Sequence, residues 1–393
     1  MPRLINVSIR RNLLYVVNLI LFYYVRKIDL IIITTKYKFN DSLIFTFLML
    51  LGEFLGGLCA HLYQNVFLKK EKKESIKYFK IEFIQTKNKL KRPDNIIKIV
   101  ILIFFTAFFD FVEFAIATFY IPKFPVVSPT AEYRFGGVII IIGALLYHFN
   151  LRIKLVRHQL FSLIIMAVSL IIIITLEIVY RASGVSFGEF FFGHIMVIGY
   201  LIFVAFTDII EKYLLEFNFL SPFKTLMGEA IFGFIIITIY SIGESPFKDL
   251  KRIYEEHTGG EFVLLLFLLF LYIVLSAGTN LYKIITNGLY SPMTKTLALY
   301  IFNPFLFIYY FFTQNDFLSE GERNYLYFSI NIVVAVIISF FGCVFNEFLV
   351  LSCFGLDKDT HYSVSKRAAE IEMISDLMLL NEHDSFSAIN TEH

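Results

Sequence analysis

The sequence predicts an all-α membrane protein whose ten transmembrane helices form two inverted five-helix repeats. Apolar residues make up 57% of the 393 residues and charged residues only 17%, whereas a typical soluble chain carries about 25% charged residues. The apolar residues fall in runs of about 20, the length that a helix needs to cross the hydrocarbon core. These runs are apolar on every side and lack the two-residue alternation of strands, which argues against a large soluble helical protein and against a β-barrel.

Polar clusters separate the runs and divide the chain into ten predicted helices. Arg26, Lys27 and Asp29 interrupt the first run, and we expect this polar break to line a cavity or to bend the helix. Asn303-Pro304 predicts a kink in the ninth run, because proline removes a backbone donor. The predicted helices are Leu13–Thr35, Leu43–Gln64, Ile96–Tyr120, Thr130–Phe149, Gln159–Tyr180, Phe190–Tyr213, Lys224–Ile242, Phe262–Tyr282, Met293–Thr313 and Tyr325–Phe348.

The charges between the helices predict the topology. Residues 69–98 hold eleven Lys and Arg against four acids, so the positive-inside rule places this loop in the cytosol. The loop either lies on anionic lipid or is simply solvated. Ten spans then put both termini in the cytosol. Ser363–Leu380 in the polar tail has apolar residues at helical spacing, which fits either a surface helix or disorder.

An internal repeat is indicated by motifs at matching positions. Gly52-Glu53 lies in the second predicted helix and Gly228-Glu229 in the seventh, and each follows a Leu-Met step. A Ser-Pro pair leads into Arg134 at the fourth helix and into Lys295 at the ninth. Because each half has an odd number of spans, the halves are inverted in the membrane. The predicted segments are 1–67 (helices one and two), 68–95 (basic loop), 96–182 (helices three to five), 183–350 (helices six to ten) and 351–393 (tail).

Charged side chains inside the apolar runs are the candidate site residues, since a charge in the membrane is costly and is kept for a function. Asp110 and Glu113 share one helix face, and two such close carboxylates do not both ionise easily, so one holds a proton or meets a cation. The alternative is that these charges form fixed ion pairs between helices. The predicted substrate-binding residues are Glu53, Asp110, Arg134, Glu229 and Lys295.

These motifs resemble the drug/metabolite transporter superfamily, and within it the solute carrier 35-like group, nearest to its F subgroup (EamA-like, nucleotide-sugar-transporter-like). The resemblance covers roughly residues 43–345. The segments that carry it are Met49–Phe54, Asp110, Arg134, Glu211-Lys212, Pro222, Glu229 and Phe232-Gly233-Phe234. The sequence departs from the group at three positions, where it has Glu113 in addition, Ala230 for a usual Gly, and Lys295 for an Arg.

The resemblance implies a multi-pass secondary transporter that moves a small anionic metabolite, such as a nucleotide sugar or organic anion, by alternating access. Arg134 and Lys295 would hold the anion, while Glu53 and Glu229 would pair with them in the empty site or carry a coupling proton. The second hypothesis is a non-transporting membrane scaffold or regulator. Enzyme signatures are missing, since the eight His form no i,i+4 pair and no P-loop or GxSxG is present.

The expected partners follow from this hypothesis. They are a small-molecule substrate and the lipid bilayer, with a homodimer also considered. The net charge is only +2, so nucleic acid is not expected, and we expect no cofactor and no metal. An endomembrane location (Golgi, lysosomal or vesicular) is favoured over the plasma membrane.

Overall fold

The computed structural model describes residues 9–39, 41–67, 95–116, 134–151, 155–181, 186–242, 259–313 and 324–360, with residues 363, 364 and 367. Every regular element in these ranges is helical, as predicted. The α-helices are α1 (Ile9–Lys36), α2 (Ser42–Leu62), α3 (Ile96–Ala115), α4 (Gly137–Leu151), α5 (Arg157–Arg181), α6 (Phe187–Glu216), α7 (Pro222–Ser241), α8 (Gly259–Leu289), α9 (Pro292–Tyr300), α10 (Asn303–Thr313) and α11 (Tyr325–Phe345). A π-helical turn, Tyr63–Phe67, follows α2, and a 3-10 helix, Cys353–Asp359, follows α11.

Six of the described helices, α2, α5, α6, α7, α8 and α11, are long and apolar enough to cross a membrane. They indicate a membrane-embedded protein. The other predicted spans differ in kind: α1 and α3 each carry three charged residues within the apolar stretch (Arg26, Lys27 and Asp29; Lys98, Asp110 and Glu113), α4 has 15 residues, and the ninth span is divided between α9 and α10. The count of ten spans therefore stays a prediction.

The ends of the helices follow from local chemistry. Asp41 caps α2 by accepting a hydrogen bond from the Ile44 backbone amide at 3.1 Å, and Ser186 caps α6 in the same way. Ser291 caps α9 by accepting a hydrogen bond from the Thr294 backbone amide. The first residue of α9 is Pro292, and proline suits this position because the amide of a first helical residue has no partner within the helix. The predicted kink in the ninth span is confirmed as a full break, with a turn at residues 301–302 between α9 and α10.

Polar residues lie inside two of the described helices. Helix α1 is continuous through Arg26, Lys27 and Asp29 as far as Lys36, in agreement with the single predicted run, and Asp29 is buried. Helix α8 extends to Leu289, about two turns past its predicted end at Tyr282. That extension carries the polar residues Lys283, Thr286 and Asn287 into the helix.

Apolar side chains pack into several cores between the described helices. The largest apolar core lies between α4, α5, α6 and α11, and a second core lies between α1, α2 and α8. The most extensively packed helix pairs are α1–α8, α2–α8, α2–α7, α5–α11, α3–α6, α3–α7 and α4–α6. Large apolar side chains such as Ile171, Val179 and Phe270 point outward from these cores, as expected of a lipid-facing surface.

Several predicted features lie outside the described residues. These are nearly all of the basic loop (68–94), the end of the third predicted helix (117–120), the start of the fourth (130–133) and most of the predicted tail helix.

Candidate substrate site

The first part of the site is a buried ion-pair network at the start of α9. Lys295 is fully buried in the first turn of this helix, and its Nζ donates to Asp208 and, at 3.2 Å, to Oε2 of Glu211. Asp208 and Glu211 are three residues apart on α6 and therefore share one face. Asn287 of α8 donates to the same Glu211 oxygen at 2.7 Å and to the Asp208 carbonyl at 2.9 Å. The network therefore joins α6, α8 and α9.

Lys212, the neighbour of Glu211, fixes the turn that leads into α9. Its Nζ donates to the carbonyls of Gly288 and Tyr290 at 3.1 and 3.0 Å, and it pairs with Glu216 at 3.4 Å. A cation at these carbonyls, which end α8, also complements the negative end of the helix dipole. The turn is thereby held at the position that brings Lys295 to α6.

The second part is the pair of glutamates from the repeated Gly-Glu motif, both of them buried. Glu53 of α2 accepts a hydrogen bond from Nδ2 of Asn280 at 3.4 Å. Glu229 of α7 has Thr106 as a hydrogen-bonding neighbour, but the Thr106 hydroxyl also donates to the Ile103 carbonyl at 2.7 Å. Oε1 of Glu229 has no hydrogen-bond partner among the described residues. Neither glutamate forms an ion pair within 4.0 Å in the described part of the chain.

The third part is formed by Asp110 of α3 and Lys283 of α8, both half-buried. Asp110 is the opposite charge that acts most strongly on Lys283, followed by Glu211 and Asp208. Glu53 in turn senses the charges of Asp110, Lys283, Glu211 and Lys295. These interactions act across space, because no direct ion pair of Asp110 or Lys283 exists among the described residues. The three parts thus form one electrostatic cluster. We call it the central cluster, and its charged members are Glu53, Asp110, Asp208, Glu211, Glu229, Lys283 and Lys295.

Helix α8 supplies a polar stripe to the central cluster. Ser276, Asn280, Lys283 and Asn287 occur at positions i, i+4, i+7 and i+11, which fall on one face of an α-helix. Asn280 reaches Glu53 and Asn287 reaches Glu211, so that face is turned toward α2 and α6. Because Ser276 and Lys283 share this helix face with Asn280 and Asn287, they lie toward α2 and α6 as well.

Arg134 is not part of the central cluster. It pairs with Glu177 at the end of α5, and the Tyr327 hydroxyl donates to the same carboxylate. His194, near the start of α6, lies 3.6 Å from Glu177. Because His194 and Asp208 are fourteen residues apart on α6, this second cluster lies about 21 Å from the first along the helix axis. The structure therefore brings together Glu53, Asp110, Glu229 and Lys295, and separates Arg134 from them.

Sequence reasoning missed four residues of the two clusters as site residues. Asp208 and Glu211 were visible as polar residues near a helix end, and their three-residue spacing was the available signal. Lys283 was missed because the eighth helix was predicted to end at Tyr282. Glu177 was visible near the end of the fifth helix, but nothing in the sequence linked it to Arg134.

The cluster combines five carboxyl groups with two lysines, carried on α2, α3, α6, α7, α8 and α9. Among the described residues, no group of three His, Cys, Asp or Glu is arranged to hold a metal ion. A scan against models of protein families found no match, and a search of curated proteins found none either. The site must therefore be interpreted from its own geometry.

Proposed function

We propose that this protein is a secondary transporter of the drug/metabolite transporter type, which moves a small polar metabolite across a membrane by alternating access. The central cluster would be its substrate site. The observation that carries the proposal is that α2 and α3 of the first half and α6 to α9 of the second half all direct buried or half-buried charges to one region. A site shared by two halves is the arrangement that rocking of one half against the other requires.

The pattern of helix contacts supports an inverted repeat. Spans one to eight are α1 to α8, span nine is α9 with α10, and span ten is α11. If span n of the first half corresponds to span n+5 of the second, the α1–α8 contact corresponds to α6–α3, and α2–α8 corresponds to α7–α3. The α4–α6 contact corresponds to α9–α1. The pairs α2–α7, α4–α9 and α5–α11 each correspond to themselves. All of these contacts occur, which is the pattern expected of two halves related by a pseudo-two-fold axis.

The glycines of the repeated Gly-Glu motif agree with this pairing. A Cβ on Gly52 of α2 would lie 2.5 Å from the carbonyl oxygen of Ile273 on α8. A Cβ on Gly228 of α7 would lie 3.0 Å from Ile103 on α3. Each glycine therefore allows a close helix approach at corresponding contacts, and each is followed by a buried glutamate near the middle of its helix.

An inverted repeat also explains why Arg134 and Lys295 lie far apart. Corresponding positions near the starts of two helices lie on opposite sides of the membrane when the halves are inverted. We propose that the Arg134–Glu177 pair holds helices together away from the substrate site and that the Lys295–Asp208 pair holds them together within the central cluster, so that the two cations do not hold one anion between them. The expectation of an anionic cargo depended on these two cations acting together.

Fixed ion pairs that only hold helices together are the competing explanation. Lys295 fits it, since its charge is met by Asp208 and Glu211. Glu229 does not fit this explanation, because a carboxylate with a purely structural role would have both oxygens hydrogen-bonded. Replacing the Glu229 carboxylate with a neutral group would instead stabilise the bundle. We therefore assign Glu229 to function.

Transport by the purified protein tests the proposal without knowledge of the substrate. The full chain is reconstituted into liposomes, offered a pooled metabolite extract, and the contents of the vesicles are measured by mass spectrometry. Wild type should concentrate or exchange particular metabolites relative to empty liposomes, and Glu229→Gln should lose this activity. Glu189→Gln is the matched control, since Glu189 is exposed at the start of α6. If wild-type vesicles accumulate nothing beyond empty liposomes, a scaffold or regulator is the better explanation.

A further inference from the structure

We propose that the transported molecule carries a positively charged amine, and that this ammonium group binds between Glu53 and Glu229 beside Ser276. The inference rests on the proposed transport function and specifies its substrate class. It also replaces the expectation of an anionic cargo.

The charge count of the central cluster favours a cation. Its carboxyl groups are Glu53, Asp110, Asp208, Glu211 and Glu229, against the two cations Lys283 and Lys295. The ionised cluster would thus have three more negative than positive charges. An anion would add to this imbalance inside a region of low dielectric, whereas a cation would reduce it.

Neither lysine contacts Glu53 or Glu229 directly. Lys295 is held by Asp208 and Glu211 through direct ion pairs. Lys283 is attracted most strongly by Asp110, and then by Glu211 and Asp208. Neither lysine forms an ion pair within 4.0 Å with Glu53 or Glu229 among the described residues. Glu53 and Glu229 are therefore the buried carboxyl groups of the cluster that have no lysine directly beside them.

Glu229 has the most one-sided surroundings. The charges that act on it most strongly are those of Glu211, Glu53 and Asp110, and all three are carboxylates. Its side chain is only 3% exposed, and its Oε1 has no hydrogen-bond partner within the described ranges. A buried carboxylate in this position requires a positive group supplied from outside the protein, or a proton.

Ser276 is a further buried polar group without a partner among the described residues, and it lies beside the Gly52-Glu53 step. It is fully buried on the polar stripe of α8, one turn from Asn280, and its Oγ has no hydrogen-bond partner in the described structure. A Cβ on Gly52 would lie 3.0 Å from the Ser276 Cβ, so this serine is adjacent to the Gly52-Glu53 step. A buried hydroxyl without a partner is unusual in a protein interior.

An ammonium group matches these acceptors in number and in charge. It has three N–H donors and no acceptor. Glu53 and Glu229 would each accept one charge-assisted hydrogen bond, and the Ser276 hydroxyl would accept the third. A carboxylate or phosphate has no donor to offer and would meet two like charges.

Thermal unfolding of the purified full chain in detergent tests the proposal. The probes share scaffolds and differ in charge: butylammonium, butanol and butyrate, and benzylammonium, benzyl alcohol and benzoate. Each is added at 10 mM to a constant high background of NaCl, so that screening of surface charges is equal. At least one ammonium probe should raise the unfolding midpoint by about 1–3 °C, whereas its neutral and anionic partners should not.

Variants locate the effect. The shift should be lost in Glu229→Gln and kept in the exposed-site control Glu189→Gln. Ser276→Ala is a second variant that should weaken the shift without removing a charge, and it keeps the test decisive if Glu229→Gln does not fold. Stabilisation by the anions alone, an unchanged shift in Glu229→Gln, or no response to either ammonium probe would overturn the inference. Binding is measured here without transport, so failure of the vesicle assay would count separately against the transport function.

Discussion

Replacing Gly52 with alanine should separate α2 from α8. The added Cβ would lie 2.5 Å from the Ile273 carbonyl oxygen and 3.0 Å from the Ala277 backbone nitrogen, where ordinary contacts begin at 3.4 Å. Both obstacles are backbone atoms, so no side chain can rotate away, and α8 must move by about 0.9 Å to restore a normal contact. Overpacking of this kind costs about 1–3 kcal/mol, while the gain in helix propensity from Gly to Ala returns about 0.5–1 kcal/mol. The net loss should be about 1 kcal/mol and at most about 2.5 kcal/mol.

The assay is the unfolding midpoint in one detergent, with Gly199→Ala as the control. Gly199 lies inside α6, and a Cβ there would meet nothing within 4 Å. The control should therefore match or exceed the stability of wild type. Because α8 carries Asn280 and Lys283, Gly52→Ala should also impair transport in the vesicle assay. If Gly52→Ala proves as stable as Gly199→Ala, the close α2–α8 approach does not exist in the protein.

Three further substitutions probe the two clusters. Glu229→Gln should raise the unfolding midpoint of the ligand-free protein, because it keeps the side-chain size and removes an unpaired buried charge; a lower midpoint would mean that Glu229 is a structural residue. Lys295→Met should cost about 3–5 kcal/mol by leaving buried carboxylates without their cation, and Asp208→Asn in the same chain should recover part of that loss, as measured by denaturant unfolding; strict additivity of the two changes would contradict the ion pair. Arg134→Met should destabilise the protein similarly in the same assay by exposing Glu177 to an apolar interior, and a double variant with Glu177→Gln should be more stable than Arg134→Met alone.

The helical class and most of the helices could be predicted, because a membrane-spanning run is a long and strong signal. The limits of that signal appear at α8. Its last two turns contain Lys283 and Asn287, and polar residues of this kind mark the end of an apolar run. The helix continues because Asn287 bonds to α6, and a contact between residues 76 positions apart cannot be read from local composition.

The candidate site could be predicted in part for a related reason. Glu53, Asp110, Glu229 and Lys295 were recognisable because each is a charge inside or opening an apolar run, and the structure gathers all four. Arg134 has the same sequence signature but pairs with Glu177 of α5, near the opposite end of α6 from Asp208. Sequence identifies a buried charge, whereas its partner is decided by helix packing.

The central claim is that the central cluster opens alternately to the two sides of the membrane. The most direct test uses Ser276→Cys in a chain whose three native cysteines are replaced by alanine, reconstituted with one orientation into sealed vesicles. An impermeant thiol reagent is added to the outside or trapped inside, and modification is measured by mass. Ser162→Cys, equally buried on α5 and away from the cluster, is the control. We expect Ser276→Cys to react with reagent on either side and Ser162→Cys with neither; reaction of Ser276→Cys from one side only, or from neither side, would contradict alternating access.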